Sequence, residues 1–167
     1  MIKNQNLLRP LASLTIFKFN NHSNQEIDRL RLNVRHNSRD CLGWIQFQGD
    51  AQDIADLVNV EYGKVICISL STAGGIGEEE DYEINFGLEN IFNFLREQHE
   101  GRNNRWLPSF QPLLLLSRMT EEQIEGEGAI EEVEAQMSNN GLGRGIKYQA
   151  NLAKSATLNR FINRRRM

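Results

Sequence analysis

Arg29-Leu30-Arg31-Leu32-Asn33-Val34-Arg35 is the stretch whose reading decides the fold. Its residues alternate, with Leu30, Leu32 and Val34 pointing one way and Arg29, Arg31, Asn33 and Arg35 the other. A helix would scatter those arginines around its circumference, whereas a strand lines them up. A strand is favoured, with a short helix over Gln25 to Leu32 as the alternative.

The flanking sequence extends the same pattern. Ser13 to Phe19 is β-branched and aromatic and stops at the turn-forming cluster Asn20 to Asn24, which predicts a strand. Cys41 to Gln48 reads as a third strand after the turn at Asn37 to Asp40. Lys64 to Ser71 is a near-continuous apolar run, as expected for a strand buried on both faces. Leu113 to Met119 reads as another strand. Helices are expected over Asp50 to Val58, capped by Asp50 or Asp53, and from about Asp81 to Gln98, where Ile84, Leu88, Ile91, Phe92 and Leu95 form a helical stripe. Thr120-Glu121-Glu122-Gln123 has the form of a capping box opening an acidic helix in which Ile124, Ile130, Val133 and Met137 pack. The expected fold class is α+β: a mostly antiparallel sheet with two or three packed helices and a basic C-terminal helical tail.

Composition agrees with one globular domain, at 167 residues with 40% hydrophobic and 25% charged. The formal charge of −3 hides a division. Residues 1–137 carry 12 Lys/Arg against all 22 Asp/Glu, a balance of −10, while residues 138–167 carry 7 Lys/Arg and no acid. The expected organisation is an N-terminal arm over 1–10, a globular domain over 11–137 and a basic tail over 138–167.

Arg9-Pro10 and Lys18 interrupt the apolar run from Leu7 to Phe19, which argues against a signal peptide. The longest apolar run, Leu113 to Leu116, is far short of a membrane span. No membrane association and an intracellular location, cytoplasmic or nuclear, are expected. Cys41 and Cys67 read as reduced thiols rather than a secreted scaffold, and the sequon at Asn21 matters only in the secretory pathway.

Motifs for chemistry are weak. Gly74-Gly75-Ile76-Gly77 sits where phosphate loops sit, but four acids follow it in place of Lys-Ser/Thr. His36, Ser38 and Asp40 crowd one turn, whereas hydrolase triads converge from distant segments. Two cysteines and three histidines at irregular spacing form no zinc signature. No catalytic residue, metal ligand or cofactor is assigned.

Charge placement carries the functional expectation. Arg29, Arg31 and Arg35 on one strand face, with Trp44 on a neighbouring strand, form a surface able to track phosphates and stack a base. The same arginines also fit an ordinary solvent-facing strand protected against edge aggregation. In the tail, Lys147, Lys154, Arg160, Arg164, Arg165 and Arg166 are interleaved with apolar residues, of which Leu158, Phe161 and Ile162 share a helical face. The preferred reading is a non-enzymatic protein that binds RNA or single-stranded nucleic acid, of the accessory type found in viruses and mobile elements. The alternative is an interaction module that presents Leu158, Phe161 and Ile162 to a partner protein. A third option folds the tail onto the seven acids between Glu121 and Glu134.

Leu152 to Arg166 resembles the start of the Jas motif of plant jasmonate ZIM-domain repressors, a Leu-x-Arg-Phe-Leu core followed by a basic cluster. Leu158, Arg160, Phe161, Ile162, Arg164 and Arg165 match it. Thr15-Ile16-Phe17 matches the first three letters of that family's TIFY motif, but Lys18 replaces the tyrosine and the downstream ZIM pattern is absent. The resemblance implies a tail helix docked by another protein.

Overall fold

The structure, a computed structural model, describes residues 5–17, 25–71, 78–140 and 142–163. The described residues form helices α1 (Gln5–Thr15), α2 (Gln25–Gln48), α3 (Ala51–Asn59), α4 (Tyr62–Ser71), α5 (Glu78–Glu100), α6 (Leu114–Gly126), α7 (Ala129–Gln136) and α8 (Gly145–Asn163), with a 3-10 turn at Leu142–Arg144. The β-structure among them is one isolated antiparallel bridge, Arg102 to Phe110. The expected antiparallel sheet is therefore replaced by an all-helical fold.

Each misread strand has a physical explanation. Residues 29–48 belong to α2, whose inward face is polar: Ser38, Arg39 and Gln46 are buried beside Leu42, while Leu30, Leu32, Val34 and Trp44 are exposed. Apolar periodicity locates a helix's core face only when that face is apolar, and here it is not. Residues 64–71 lie in α4, where Val65, Ile66, Cys67 and Leu70 are buried. A helix apolar on all sides has the same composition as a doubly buried strand, and period cannot separate them. Ser13 to Thr15 close α1, which contains Pro10 and buries Leu8, Ala12 and Thr15. Pro10 removes one backbone bond, yet the i, i+4, i+7 stripe keeps the helix packed.

Residues 114–119 open α6 rather than forming a strand, so Thr120 is internal to a helix and not its cap. The hydroxyl of Thr120 donates to Gln98 Oε1 at 3.0 Å in the packed interior, and the Gln123 amide donates to Val58 O at 2.9 Å in a half-buried contact between helices. The single acidic helix expected there is divided at Gly128, whose φ of 68° few other residues adopt, into α6 and α7.

Two expected helices are present. Asp50 caps α3 in a reciprocal capping box: its carboxylate accepts from Gln52 and Asp53 N–H, and Asp53 accepts from Asp50 N–H. Helix α5 follows its apolar stripe, burying Ile84, Leu88, Ile91 and Leu95.

Helix α8 packs most extensively on α5 and also on α7. It buries Ile146 and, at helical spacing on the same face, Ala150, Ala153 and Ala156, and the three small alanine side chains allow close approach. Residues 145–157, expected within a basic tail, are thus core of the helical body. Leu8 and Ala12 anchor α1 in the same core, including part of the stretch expected as an arm. Among the described residues no helix is long and apolar enough to cross a membrane.

Candidate functional site

The expected arginine surface depends on a strand, and α2 disperses it. At about 100° per residue, Arg31 and Arg35 share one side of the helix while Arg29 and Trp44 lie elsewhere. Arg29 is exposed. Arg31 pairs with Asp28 at 3.5 Å. Arg35 is half-buried and donates from Nε to the Thr15 carbonyl at 3.3 Å. Burial, and then the neighbouring Arg39 charge, lower the Arg35 pKa from its ordinary value. Trp44 is exposed on the far side from Arg31 and Arg35, against Phe47 rather than among cations.

Of the tail residues, Lys147 is exposed and Lys154 pairs with Glu134 at 3.0 Å, one of the acids between Glu121 and Glu134. Arg160, Leu158, Phe161 and Ile162 fall in α8, but their side chains lie outside the described residues, as do Arg164, Arg165 and Arg166 altogether. The Asn20 to Asn24 turn, with its sequon, and the Gly74 to Gly77 loop also lie outside them.

The titratable clusters are tied into packing. His36 bridges Asp40 at 3.3 Å and Glu83 at 3.4 Å, and the buried Arg39 reaches Glu83 at 2.8 Å. Ser38, the third member of the local triad, is buried on the inner face of α2. His99 contacts the buried Glu121 at 2.9 Å. Cys67 is buried and its thiol is pushed up to about 12, chiefly by burial, so it does not serve as a nucleophile near neutral pH.

The most elaborately built surface feature is the loop between α5 and α6. Gly101 starts it at φ 76°, and a Cβ there would sit 2.6 Å from the Phe110 carbonyl oxygen, so only glycine fits. Arg102 and Phe110 exchange backbone hydrogen bonds at 2.8 and 2.9 Å, and Leu113 N–H donates to Gln98 O at 2.7 Å. The buried Arg102 guanidinium donates to Gly49 O at 2.7 Å, to Gln46 O at 3.0 Å and to both carboxylate oxygens of Glu97 at 2.6 and 3.2 Å. One side chain thereby fastens the loop to the C-terminus of α2 and to α5, using its planar fork of donors.

The tip has its own local bonds. Asn104 Oδ1 accepts from Trp106 N–H at 2.9 Å, and Ser109 Oγ donates to Asn104 O at 3.3 Å. Trp106 stands on this scaffold with 90% of its surface exposed, while Leu115, at the start of α6, is 73% exposed. Arg105 and Arg118 are exposed as well. Comparison with protein-family models, curated proteins and solved structures returns no match.

In the sequence, residues 100–110 read as a loop, with Gly101, Asn103, Asn104 and Pro108 as its turn-forming residues. The available signal was Trp106 itself, an aromatic inside a run of Arg, Asn, Gly, Ser and Pro where turn chemistry has no need of one. A second apolar surface is a groove of about 520 Å³ between α1 and α2, lined by Leu7, Leu11, Cys41, Trp44 and Ile45.

Proposed function

We propose that the protein is a protein-interaction module whose Trp106 loop is the recognition element. The observation that carries this reading is a tryptophan 90% exposed on a loop whose neck is locked by a buried arginine. Exposing an indole to water is unfavourable by itself, and binding returns that free energy. Tryptophan is enriched among the residues that dominate interface energies, and a loop already held in shape loses little entropy on docking. The polar side chains that enzymes use, here His36, His99 and Arg102, are instead engaged in ties between helices.

The test is a photo-crosslinking residue installed at position 105 and, separately, at position 115 of the full chain expressed in cells. Both should yield the same adduct, and Trp106→Ala should abolish it without changing the unfolding midpoint. Tyr148→Ala, which alters an exposed aromatic on α8, should leave it intact. Adducts that differ between the two positions, or that survive Trp106→Ala, would remove this reading.

A second reading, sequence-independent binding of RNA or single-stranded nucleic acid, is favoured by the exposure of Arg144 and Lys147 in the acid-free segment. Its test is retention of single-stranded RNA by the full chain at two salt concentrations, with Lys147→Glu as the variant. Phosphate-driven binding weakens steeply with salt and with each cation removed.

A further inference from the structure

Helix α2 carries a second regular pattern on the side away from the core. Ile27, Leu30, Val34, Asn37, Cys41 and Trp44 recur at spacings of 3, 4, 3, 4 and 3, and every one is exposed. This is the a/d repeat of a two-stranded coiled coil, carried over almost the full length of a 24-residue helix. On the flanks of α2, α1 packs on one side and Phe86 of α5 approaches Gly43 on the other, so nothing within the described residues covers the stripe.

We infer that this stripe is the seam of a parallel, in-register homodimer of the chain, and the inference stands independently of the Trp106 reading. Three observations select a second copy as the occupant. The 3-4 spacing suits a straight helix lying alongside, rather than an extended peptide or a flat sheet. Asn37 stands at the middle of the stripe, where in register it meets its own amide in the other copy. An amide in an otherwise apolar seam costs affinity, and out-of-register pairing costs more because it buries that amide against an apolar side chain with no partner. Charge also matches: Glu26 and Arg31 occupy the two flanking positions that face one another between parallel chains, five residues apart. Arg31 already leans on Asp28 at 3.5 Å and keeps 39% of its side chain exposed, so it can also meet a carboxylate on the other copy.

Size sets the strength. A helix of this length is about 36 Å long, and a contact strip about 10 Å wide covers roughly 360 Å². Leu7 and Leu14, exposed on α1, raise this to about 500 Å² per copy, or about 1,000 Å² in all, near the lower limit for a specific interface. The dimer is therefore weak and concentration-dependent, with dissociation in the micromolar range.

Sedimentation of the full chain from about 1 to about 200 µM, a range spanning micromolar dissociation, should show a monomer–dimer equilibrium. Leu30→Asp combined with Val34→Asp should hold it monomeric with an unchanged helical circular-dichroism spectrum, since both side chains are already exposed. Glu26→Arg should weaken the dimer severalfold, and Arg31→Glu added to it should restore association. Orientation is read by Cys41, which a parallel seam places opposite its own copy. Mild oxidation with diamide should give a disulfide-linked dimer that Cys41→Ser abolishes. An antiparallel pairing centred on Asn37 would separate the two Cys41 residues by about 12 Å, beyond disulfide reach. A chain that stays monomeric throughout, or a dimer that forms no Cys41 disulfide, overturns the inference.

Discussion

Arg102 and Phe110 meet twice across the neck of the α5–α6 loop, through paired backbone hydrogen bonds and through a guanidinium lying 4.9 Å from the ring centroid. The cation is enclosed by the aromatic face, one carboxylate and two carbonyls. Removing it strands all of them. Arg102→Met should therefore destabilise the protein by about 3–5 kcal/mol in urea unfolding, because the partly buried Glu97 loses its counter-charge. Arg102→Lys should recover only part of this, since one ammonium cannot fork to Glu97 and to both carbonyls.

A chain ending at residue 140 should not fold. It would leave the α5 surface that receives Ile146, Ala150 and Ala153 open to water. Circular dichroism should show a large loss of helix beyond the missing residues, and urea unfolding should lose its cooperative transition. An added bulky side chain makes the same point more gently. Ala153→Leu should cost about 1–3 kcal/mol by overpacking the α5–α8 contact.

Cys67 predicts a pH dependence with a definite sign. Its thiol has an ordinary value of 9.0 and is raised to about 12 in the fold, first by burial and then by the Glu127 charge. Between those values the unfolded chain releases a proton that the folded chain keeps. The stabilisation is present in full below pH 9 and is lost as pH rises towards 12, by up to about 1.4 kcal/mol per unit. Burial also raises the Tyr62 hydroxyl above its ordinary value of 10.0, which steepens the loss at still higher pH. Urea midpoints at pH 8, 9 and 10 should fall for the native sequence and fall less for Cys67→Ala. A thiol reagent at pH 8 should modify one cysteine, the exposed Cys41, before unfolding and two after it.

Asp50→Ala should cost about 1 kcal/mol, because it opens the capping box at the start of α3 and frees the Gln52 and Asp53 N–H groups. Asp50→Asn, which keeps an accepting oxygen, should cost less. The unfolding midpoints of the two variants check the order.

Helix α3 was legible because cap, stripe and length agree locally, and α5 because its apolar stripe from Ile84 to Leu95 is long enough for a 3.6 period to show. An acidic helix after Thr120 and a helical tail were also expected, in the regions of α6, α7 and α8, whereas α1, α2 and α4 were hidden for separate reasons. In α4 the run from Val65 to Leu70 is interrupted only by Ser69, which leaves too little contrast for a period to be read. In α2 the buried positions include Ser38, Arg39 and Gln46 beside Leu42, and the partners of Arg39 and Gln46 in α5 are fixed only by tertiary structure. With α2 misassigned, the grouping of Arg29, Arg31, Arg35 and Trp44 dissolved, since a face exists only relative to a period. The loop at Trp106 was legible as a loop, but what makes it a surface is Arg102 reaching Gln46 and Gly49, more than fifty residues earlier. The Lys154–Glu134 pair is the opposite case, since matching the acid-free segment with the acidic helix was among the alternatives drawn from charge alone.

The burial of α8 has a consequence for biosynthesis. Helix α5 ends at residue 100, but the helix that covers it has delivered its buried residues only after Ala156 has left the ribosome. At about 5–20 residues per second that interval lasts roughly 3–11 s. Throughout it the nascent chain carries an uncovered apolar surface, a natural target for chaperones and a point at which slower translation would favour aggregation.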